Sequence, residues 1–253
     1  MSKILMLLPN TDFDPTESAI PWQILTQAGH EVFFATQDGS IAQCDKITLT
    51  GDGLTGMLGS LAIRPANKRV YDEMSKDTHF NSPFSWQNVS PQDFDGLLLP
   101  GGHAKGMKPY LESEHVFSIC RHFFARKAPV GSVCHGVLAL ARTLDESGQS
   151  ILHGYRVTGL NNFQEKIALR LTQKTMGLHY QTYIQTVQDE VSSVLARKKD
   201  FKTGPFLPVF GTKKSPQKGF VVVDRNLVSA RWPGDVYKFS YAYLSLIDVK
   251  KSA

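Results

Sequence analysis

A cysteine and a histidine stand side by side at positions 134 and 135, where a strand pattern passes directly into a helix pattern. A cysteine thiolate is a nucleophile, and a neighbouring histidine can act as the base that takes the thiol proton. Small residues flank the pair (Gly131 and Ser132 before it, Gly136 after it) and allow the tight turn of a nucleophile elbow. The dipole of the following helix would favour the thiolate. We therefore predict Cys134 as a nucleophile; the alternative is an ordinary buried cysteine at a strand end.

Two further segments are predicted to reach the same edge of the sheet, because the carboxyl ends of parallel strands meet there. A Pro-Gly-Gly-His turn over residues 100–103 follows a strand pattern, and its glycines would let backbone N–H groups face a ligand, as an oxyanion hole requires. Glu17 lies at the start of the first predicted helix and would bring a carboxylate to the same crevice. The alternatives are a plain strand-end turn and a partner for the helix dipole.

Alternating apolar runs and helical patterns indicate the elements that must hold these residues. Strands are predicted over residues 3–8, 31–36, 94–99, 129–133, 155–159, 220–223 and 227–231, the last two as a hairpin. Helices are predicted over residues 17–28, 67–76, 113–126, 134–142, 162–171, 180–198 and 236–247. Together they predict an α/β fold, with a mainly parallel sheet and helices on both faces. Residues 1–253 are interpreted as a single domain with insertions at about 45–92, which includes the glycine-rich stretch 51–59, and at about 172–218.

The composition excludes a disordered chain, since 42% of the 253 residues are hydrophobic and 20% are charged. The net charge is +5. Residues 197–218 hold seven basic residues and one acidic residue, so this segment accounts for the whole positive excess. Its prolines and glycines predict a loop and not a basic helix. Without a helix-turn-helix or an aromatic platform, the charge does not predict a nucleic-acid partner.

Cysteine and histidine spacing predicts neither a disulfide framework nor a metal site. The three cysteines are far apart, and the histidines show no HxxxH or HExxH spacing. The N-terminal apolar run is too short for a signal peptide, and no apolar run reaches the roughly 18 residues of a membrane span. The sequence is therefore interpreted as that of a cytoplasmic protein without a membrane partner.

Four motifs taken together resemble the ThiJ/PfpI superfamily, which has the class I glutamine amidotransferase-like fold and includes the parkinsonism-associated deglycase. They are Glu17, the PGGH turn at 100–103, the GSVCHG stretch at 131–136, and a VTG stretch at 157–159 followed by Glu165. The branch that they resemble most is that of heat-shock chaperones with glutathione-independent glyoxalase III activity. The resemblance spans most of the chain and implies a three-layer α/β/α sandwich with a flavodoxin-like sheet. It also implies a homodimer.

The resemblance implies a role for each matching residue. Cys134 would be the nucleophile, His135 and Glu165 its triad partners, and Glu17 the carboxyl that contacts the thiol. The oxyanion and substrate contacts would come from Gly101, Gly102, His103, Trp232 and the backbone amide of His135. One departure lies at residues 231–235, which read RWPGD where the glyoxalase-type branch carries a stretch like Asn-Pro-Ala-Ser. Because this segment borders the pocket in the family, the departure leaves the substrate open.

Three functions follow, and the sequence does not separate them. The first is a glyoxalase III-like enzyme that converts methylglyoxal or a related 2-oxoaldehyde to a 2-hydroxy acid without a cofactor. The second is a cysteine amidase or peptidase that uses the same groups on an amide. Both take a small-molecule carbonyl or amide substrate. The third is a non-catalytic stress chaperone or redox sensor whose cysteine is oxidised.

Overall fold

The computed structural model describes residues 1–54, 59, 61–206 and 209–251. Parts of the glycine-rich stretch and of the basic segment, residues 55–58 and 207–208, lie outside the described residues. The strands in the described part are β1 Lys3–Leu7, β2 Thr11–Phe13, β3 Glu31–Thr36, β4 Gln43–Cys44, β5 Phe84–Ser85, β6 Gly96–Leu99, β7 Val130–Val133, β8 Val221–Asp224 and β9 Leu227–Ala230. The α-helices there are α1 Pro15–Gln27, α2 Lys46–Thr50, α3 Pro65–Met74, α4 Lys108–Leu111, α5 Glu114–Ala125, α6 Val137–Arg142, α7 Asn162–Met176, α8 Val187–Val194 and α9 Val236–Lys251.

Seven strands form the central sheet in the order β5–β3–β1–β6–β7–β9–β8. Every neighbouring pair is parallel except β8 and β9, which form the predicted hairpin. Strands β6 and β7 are buried along their whole length, because helices cover both faces of the sheet. Helix α1 packs against α3 and α9, while α6 packs against α5 and α8. The three-layer α/β/α fold is confirmed.

The strand order determines where a site can form. From β1 the chain adds β3 on one side, and it then adds β6, β7 and β9 on the other, which is the flavodoxin-like order. The direction of winding therefore reverses between β1 and β6. In open parallel sheets, ligands bind outside the carboxyl ends of the strands at such a reversal. The segments after β1, β6 and β7 all meet at this edge.

Helix α1 begins with a strong local signal that also orients a site residue. The Asp14 carboxylate caps the helix and accepts hydrogen bonds from the backbone N–H groups of Thr16 and Glu17, at 2.7 and 3.0 Å. Pro15 occupies the first turn, where its missing N–H has no cost. The cap holds the first turn of α1, and with it Glu17, at the carboxyl edge of the sheet.

Two of the predicted elements are wrong in whole or in part. Residues 155–159 form no strand, and only Val157 makes an isolated bridge, to Phe201 of the second insertion. Residues 180–198 are helical only over α8, because Thr186 caps the helix by accepting from the N–H of Asp189. The residues before it, 177–186, form turns and bends that reach back to the PGGH turn.

The basic segment is a loop, as predicted. In its described residues the regular structure is one short 3₁₀ turn, Lys198–Asp200. Within that turn and its flank, Arg197 forms an ion pair with Asp200 at 2.8 Å. None of the helices in the described part of the chain has the length and apolar character needed to cross a lipid bilayer.

Candidate active site

The turn after β7 is a nucleophile elbow. Cys134 has φ +56°, a left-handed conformation that raises the energy of a non-glycine residue by about 1–2 kcal/mol. It begins a short 3₁₀ turn, Cys134–Gly136, that leads into α6. A side chain at Gly136 would place its Cβ 2.2 Å from the carbonyl oxygen of Leu99, so glycine is required there. The surrounding packing holds the strained cysteine at the carboxyl end of the sheet.

Gly101 joins the elbow to the first helix. A Cβ on it would lie 2.8 Å from both the Cys134 Cβ and the His135 backbone nitrogen, so only glycine lets the two turns approach. Its N–H donates to Glu17 Oε2 at 2.8 Å, and its carbonyl accepts from the Asp14 N–H at 2.8 Å. The turns after β1, β6 and β7 are thus fixed to one another by backbone contacts.

The side chains of Cys134 and His135 face each other although they are consecutive. His135 Nδ1 lies 3.5 Å from the Cys134 sulfur, and Nε2 lies 3.8 Å from Glu165 Oε1. The left-handed turn makes this possible, since consecutive residues of a regular helix do not face each other. An imidazole with its hydrogen on Nε2 would point that hydrogen at Glu165 and leave Nδ1 free to take the thiol proton. The three residues have the arrangement of a catalytic triad.

Glu165 is held by two helices. It lies in the first turn of α7, whose cap is Asn161, and its Oε2 accepts from the Val187 N–H at 2.9 Å, at the start of α8. Burial raises the pKa of the Glu165 carboxyl to about 7, although the Val187 hydrogen bond opposes the shift. This residue therefore changes its charge near neutral pH.

Glu17 is more deeply buried than Glu165 and lies on the other side of the sulfur. It is only 1% exposed, and burial, followed by the nearby Asp14, raises its pKa well above the usual range for a glutamate. Its Oε1 accepts no hydrogen bond of good geometry, whereas an interaction with the Cys134 thiol opposes the shift in pKa. The contact with the thiol favours the ionised carboxyl, but burial and the charge of Asp14 outweigh it. We therefore treat Glu17 as a neutral acid at neutral pH.

The cysteine itself is less acidic than the helix dipole suggested. Burial, and then the charges of Glu17 and Asp14, raise the pKa of the Cys134 thiol well above its usual range, while the His135 backbone N–H lowers it. The repulsion from the two carboxyls falls away when they are protonated, but the loss of solvation persists. Burial also lowers the pKa of His135 well below its usual value, so thiol and imidazole are both neutral at rest. Thiolate would then form only as its proton passes to His135.

Two backbone N–H groups belong to the predicted oxyanion hole, those of Gly102 and His135. Among the described residues, the Gly102 N–H donates to no other group, and the His135 N–H faces the sulfur. A Cβ on Gly102 would lie 2.3 Å from the Asp12 carbonyl oxygen, so this turn also needs glycine. The third amide predicted nearby, that of Gly101, is already bonded to Glu17.

His103 borders the pair from the PGGH turn. Its partly exposed ring meets the His135 ring edge to face, with the ring centroids 5.0 Å apart, and burial lowers its pKa to about 4. Its carbonyl accepts from Thr182 Oγ1 at 2.6 Å, and its ring also contacts Tyr180. Tyr180 and Thr182 thus bring the segment before α8 into contact with the PGGH turn. The Cys134 sulfur, one ring nitrogen of His103 and one of His135 all lie within 4.8 Å of one another, which is close enough to bind a metal ion.

Trp232 belongs to the RWPGD stretch that follows β9. Its ring packs on Phe210 with centroids 4.5 Å apart, and its buried indole N–H has no described partner. The preceding Arg231 is fully buried and bonds Asp235 through Nε at 2.8 Å, so the RWPGD stretch is held rigidly. None of the described contacts of Trp232 involves the Cys134–His135 pair.

Sequence reasoning missed two residues at the site. Asp14 is buried beside Glu17, and burial raises its pKa to about 7. The Asp-Pro start of α1 signals the helix cap but not a second carboxyl near the sulfur. Thr182 falls within a predicted helix, and that prediction hides its bond to His103.

Comparison with known proteins identifies the family. A family model described as ThiJ/PfpI family-like matches residues 8–205. The chain belongs to the ThiJ/PfpI family. Within the matched region lie Glu17, the PGGH turn, the elbow and Glu165.

Curated relatives in this family carry two kinds of name. Deglycase PfpI of Pyrococcus furiosus is 25% identical over 245 residues, which cover 97% of this chain and 99% of the relative. Glutathione-independent glyoxalase hsp3102 of Schizosaccharomyces pombe is 22% identical over 175 residues, or 67% and 68% of the two chains. Deglycase PH1704 of Pyrococcus horikoshii is 31% identical over 134 residues. That match covers 53% of this chain and 61% of the relative.

Some matches are partial. PH1704 and an uncharacterized Schizosaccharomyces pombe protein are matched over only 61% and 54% of their own lengths. Among solved structures, glyoxalase III from Candida albicans has a TM-score of 0.71 and 18% identity, with 97% of each chain covered. A likeness at this identity shows the shared fold. The deglycase and glyoxalase names describe those relatives.

Proposed function

We propose that this chain is a cysteine-dependent enzyme that converts methylglyoxal, or a related 2-oxoaldehyde, to the 2-hydroxy acid with water and without glutathione. The observation that carries the proposal is the contact of 3.5 Å between the Cys134 sulfur and His135 Nδ1, with Glu165 on the far side of the ring. The name of the glyoxalase relative supports it. The first step is addition of the sulfur to the aldehyde carbon, C1, as the thiol proton passes to His135.

The adduct is a hemithioacetal whose new oxygen is first an alkoxide. The N–H groups of Gly102 and His135 would stabilise this negative charge until the His135 imidazolium protonates it. Because His135 is buried and its lowered pKa favours its neutral form, it gives up the proton readily. The step leaves neutral His135, neutral Glu17 and a hydroxyl group on C1.

Two proton movements then convert the hemithioacetal to a thioester. His135 carries the hydrogen of C1 to C2, while the neutral Glu17 carboxyl donates its proton to the C2 oxygen and accepts the proton of the C1 hydroxyl. Both residues end in the protonation state in which they began. Water activated by His135 attacks the thioester carbonyl, the sulfur leaves, and it recovers its proton. The sum is one 2-oxoaldehyde plus one water giving one 2-hydroxy acid.

The test measures loss of methylglyoxal and formation of lactate by the purified chain in the absence of glutathione. The Cys134→Ala variant should lose all activity above background, because no other described residue offers a nucleophile in this position. Cys120→Ala is the matched control, since Cys120 is a fully buried cysteine in α5, away from the elbow. Lactate formation that survives in Cys134→Ala would contradict the proposal.

A deglycase reaction is the second candidate, because relatives of this chain carry that name. In that reaction the sulfur would displace the amine from C1 of a hemiaminal adduct, and the amine would leave with the thiol proton delivered by His135. The resulting hemithioacetal would then follow the same proton transfers to the thioester and the same hydrolysis. An amide hydrolase would instead release an amine through an acyl-enzyme. Assaying methylglyoxal, a methylglyoxal–amine adduct and a simple amide side by side distinguishes the three by which substrate disappears.

A further inference from the structure

Three metal-binding side chains converge at the elbow from two separate turns. Cys134 and His135 come from the turn after β7, and His103 comes from the turn after β6. One donor atom of each, the sulfur and two ring nitrogens, all lie within 4.8 Å of one another. A thiolate with two imidazoles is a donor set that suits Zn²⁺ and other soft metal ions.

The spacing of the donors is close to that of a bound zinc ion. Zinc bonds of about 2.3 Å to sulfur and 2.0–2.1 Å to nitrogen place tetrahedral S and N ligands roughly 3.5 Å apart. Cys134 Sγ and His135 Nδ1 are 3.5 Å apart. The His103 nitrogen needs to approach by up to about 1.5 Å, a movement that rotation about the side-chain bonds of His103 provides.

The surroundings supply what a metal site needs beyond its ligands. A metal-bound histidine commonly donates its other ring N–H to a carboxylate, which fixes the tautomer. Glu165 lies 3.8 Å from His135 Nε2, on the side of the ring away from the sulfur. His103 is partly exposed, whereas Cys134 and His135 are buried. Three protein ligands leave the fourth position to water.

We propose that His103, Cys134 and His135 bind one Zn²⁺ ion, or a similar soft divalent cation, and that the bound ion reversibly blocks the nucleophile. On binding, the Cys134 thiol releases its proton to solvent, and the metal ion takes the place between sulfur and Nδ1 that the transferred proton occupies in the reaction. The metal-bound sulfur cannot add to a carbonyl. Metal binding stands independently of the proposed function, while the block of turnover rests on it.

The test uses the full-length chain after treatment with a chelator. Co²⁺ is the spectroscopic probe, since thiolate ligation gives a charge-transfer absorption that water or imidazole ligation does not. We expect one Co²⁺ per chain, displaced by one Zn²⁺. Removing an outer-shell partner of a metal ligand lowers affinity roughly 10–100-fold, so His103→Ala should lower Zn²⁺ affinity at least that much, and Cys134→Ser should abolish the absorption.

Control variants separate this site from adventitious binding and from misfolding. Cys120→Ser and His122→Ala change a cysteine and a histidine of α5 and should leave Co²⁺ absorption unchanged. Circular dichroism and thermal melting verify that each variant is folded. Unchanged Zn²⁺ affinity in folded His103→Ala would overturn the three-ligand site. A lower number of Co²⁺ ions bound per chain in Cys120→Ser or His122→Ala would also overturn it.

An activity measurement tests the block. If methylglyoxal is turned over, one equivalent of Zn²⁺ should stop the reaction and EDTA should restore it. Full turnover by the zinc-loaded chain would overturn the block. A chain that binds Co²⁺ through Cys134 but never consumes methylglyoxal would instead contradict the proposed function and leave the metal site standing.

Discussion

Two glutamates flank the Cys134–His135 pair, and their surroundings are different. Glu17 lies on the sulfur side, 1% exposed, with one oxygen bonded to a backbone N–H of the neighbouring turn. Glu165 lies on the side of the imidazole away from the sulfur, with 15% of its side chain exposed. Burial raises the pKa of both carboxyls, well above the usual range for Glu17 but only to about 7 for Glu165.

The comparison shows how one residue type supplies two functions. At neutral pH Glu17 keeps its proton and can act as an acid, while Glu165 can carry a negative charge that stabilises the imidazolium of His135. Backbone contacts at the sheet edge hold the sulfur side, whereas two helices near the second insertion hold the imidazole side. A single substitution can therefore disrupt the contacts on the sulfur side of the pair and leave those on the imidazole side intact, or the reverse.

Among variants that keep the nucleophile, the largest effect is expected from Gly101→Ala, which disrupts the contacts on the sulfur side of the pair. The new Cβ would meet the Cys134 Cβ at 2.8 Å and push apart the turns that Glu17 joins. Because a displacement of about 1 Å can lower a rate roughly 100-fold, we expect activity to fall at least ~100-fold. We also expect the free energy of unfolding to fall by about 1–3 kcal/mol. Steady-state kinetics and chemical denaturation measure the two effects.

Gly148→Ala is the control for backbone strain. Gly148 has φ +79°, and no atom lies within 4 Å of the point where a Cβ would stand, so alanine there meets strain without a clash. It should lower the free energy of unfolding by about 1 kcal/mol and leave activity unchanged. If Gly101→Ala and Gly148→Ala lost the same activity, the close approach of the two turns at Gly101 would not be the cause of the loss.

Glu17→Gln should have the next largest effect. Glutamine fits the same space and can still accept from the Gly101 N–H, but it has no acid proton to move between the substrate oxygens. We expect kcat/KM for methylglyoxal to fall about 100-fold without loss of thermal stability. Glu114→Gln, an exposed glutamate in the first turn of α5, is the matched control. Unchanged turnover in Glu17→Gln would show that the side chain at position 17 needs only its hydrogen bond to Gly101 and not an acid proton.

The same contrast explains which parts of the site could be predicted from the sequence. The strands before Glu17, Gly101 and Cys134 are short apolar runs, and parallel strands bring their carboxyl ends to one edge, so local patterns are enough to place these residues together. Only the resemblance places Glu165, because its distance from His135 depends on how α7 and α8 pack. The local residue pattern of one segment does not determine such packing between distant helices.

The errors occur where partners come from distant segments. Residues 155–159 have the composition of a strand, but Thr158 bonds Ser229 through its N–H and Lys202 through its hydroxyl, and no sheet neighbour remains for it. Residues 180–186 contain threonines that serve equally in helices, caps and turns. Residue spacing also does not reveal that His103 lies close to Cys134 and His135, because these side chains come from two separate turns.

Glu165→Gln should lower activity less than Glu17→Gln, since the contact to His135 is long. We expect a loss of about 10-fold and a change in the pH profile. The ionised carboxylate supports His135, and its pKa is about 7, so wild-type activity should rise as pH increases through that value. The variant should lack this rise. A rise near pH 7 that persists in Glu165→Gln would assign it to another group, such as Asp14, whose pKa is also raised to about 7.

The smallest expected effect is on the pH dependence of the free energy of unfolding. Measuring it distinguishes Glu17 from Glu165 without any substrate. A carboxyl whose pKa is raised in the folded state keeps its proton after the unfolded chain has lost it, so the free energy of unfolding falls as pH rises from about 4.5 to the folded pKa. For Glu165 this range ends near pH 7, and for Glu17 it extends higher.

The two carboxyls should therefore contribute a decline in melting temperature between about pH 5 and about pH 8, of about 2–4 °C for each kcal/mol lost. His103 and His135, whose pKa values are lowered in the fold, contribute the opposite slope up to about pH 6.5, and the wild type and the variants share this contribution. Glu165→Gln should flatten the decline only below about pH 7, while Glu17→Gln should flatten it above about pH 7 as well. Glu114→Gln should follow the wild type, because the side chain that it replaces is exposed to water. Identical slopes in Glu17→Gln and Glu165→Gln would mean that the two carboxyls titrate alike, and the assignment of one as acid and the other as anion would fail.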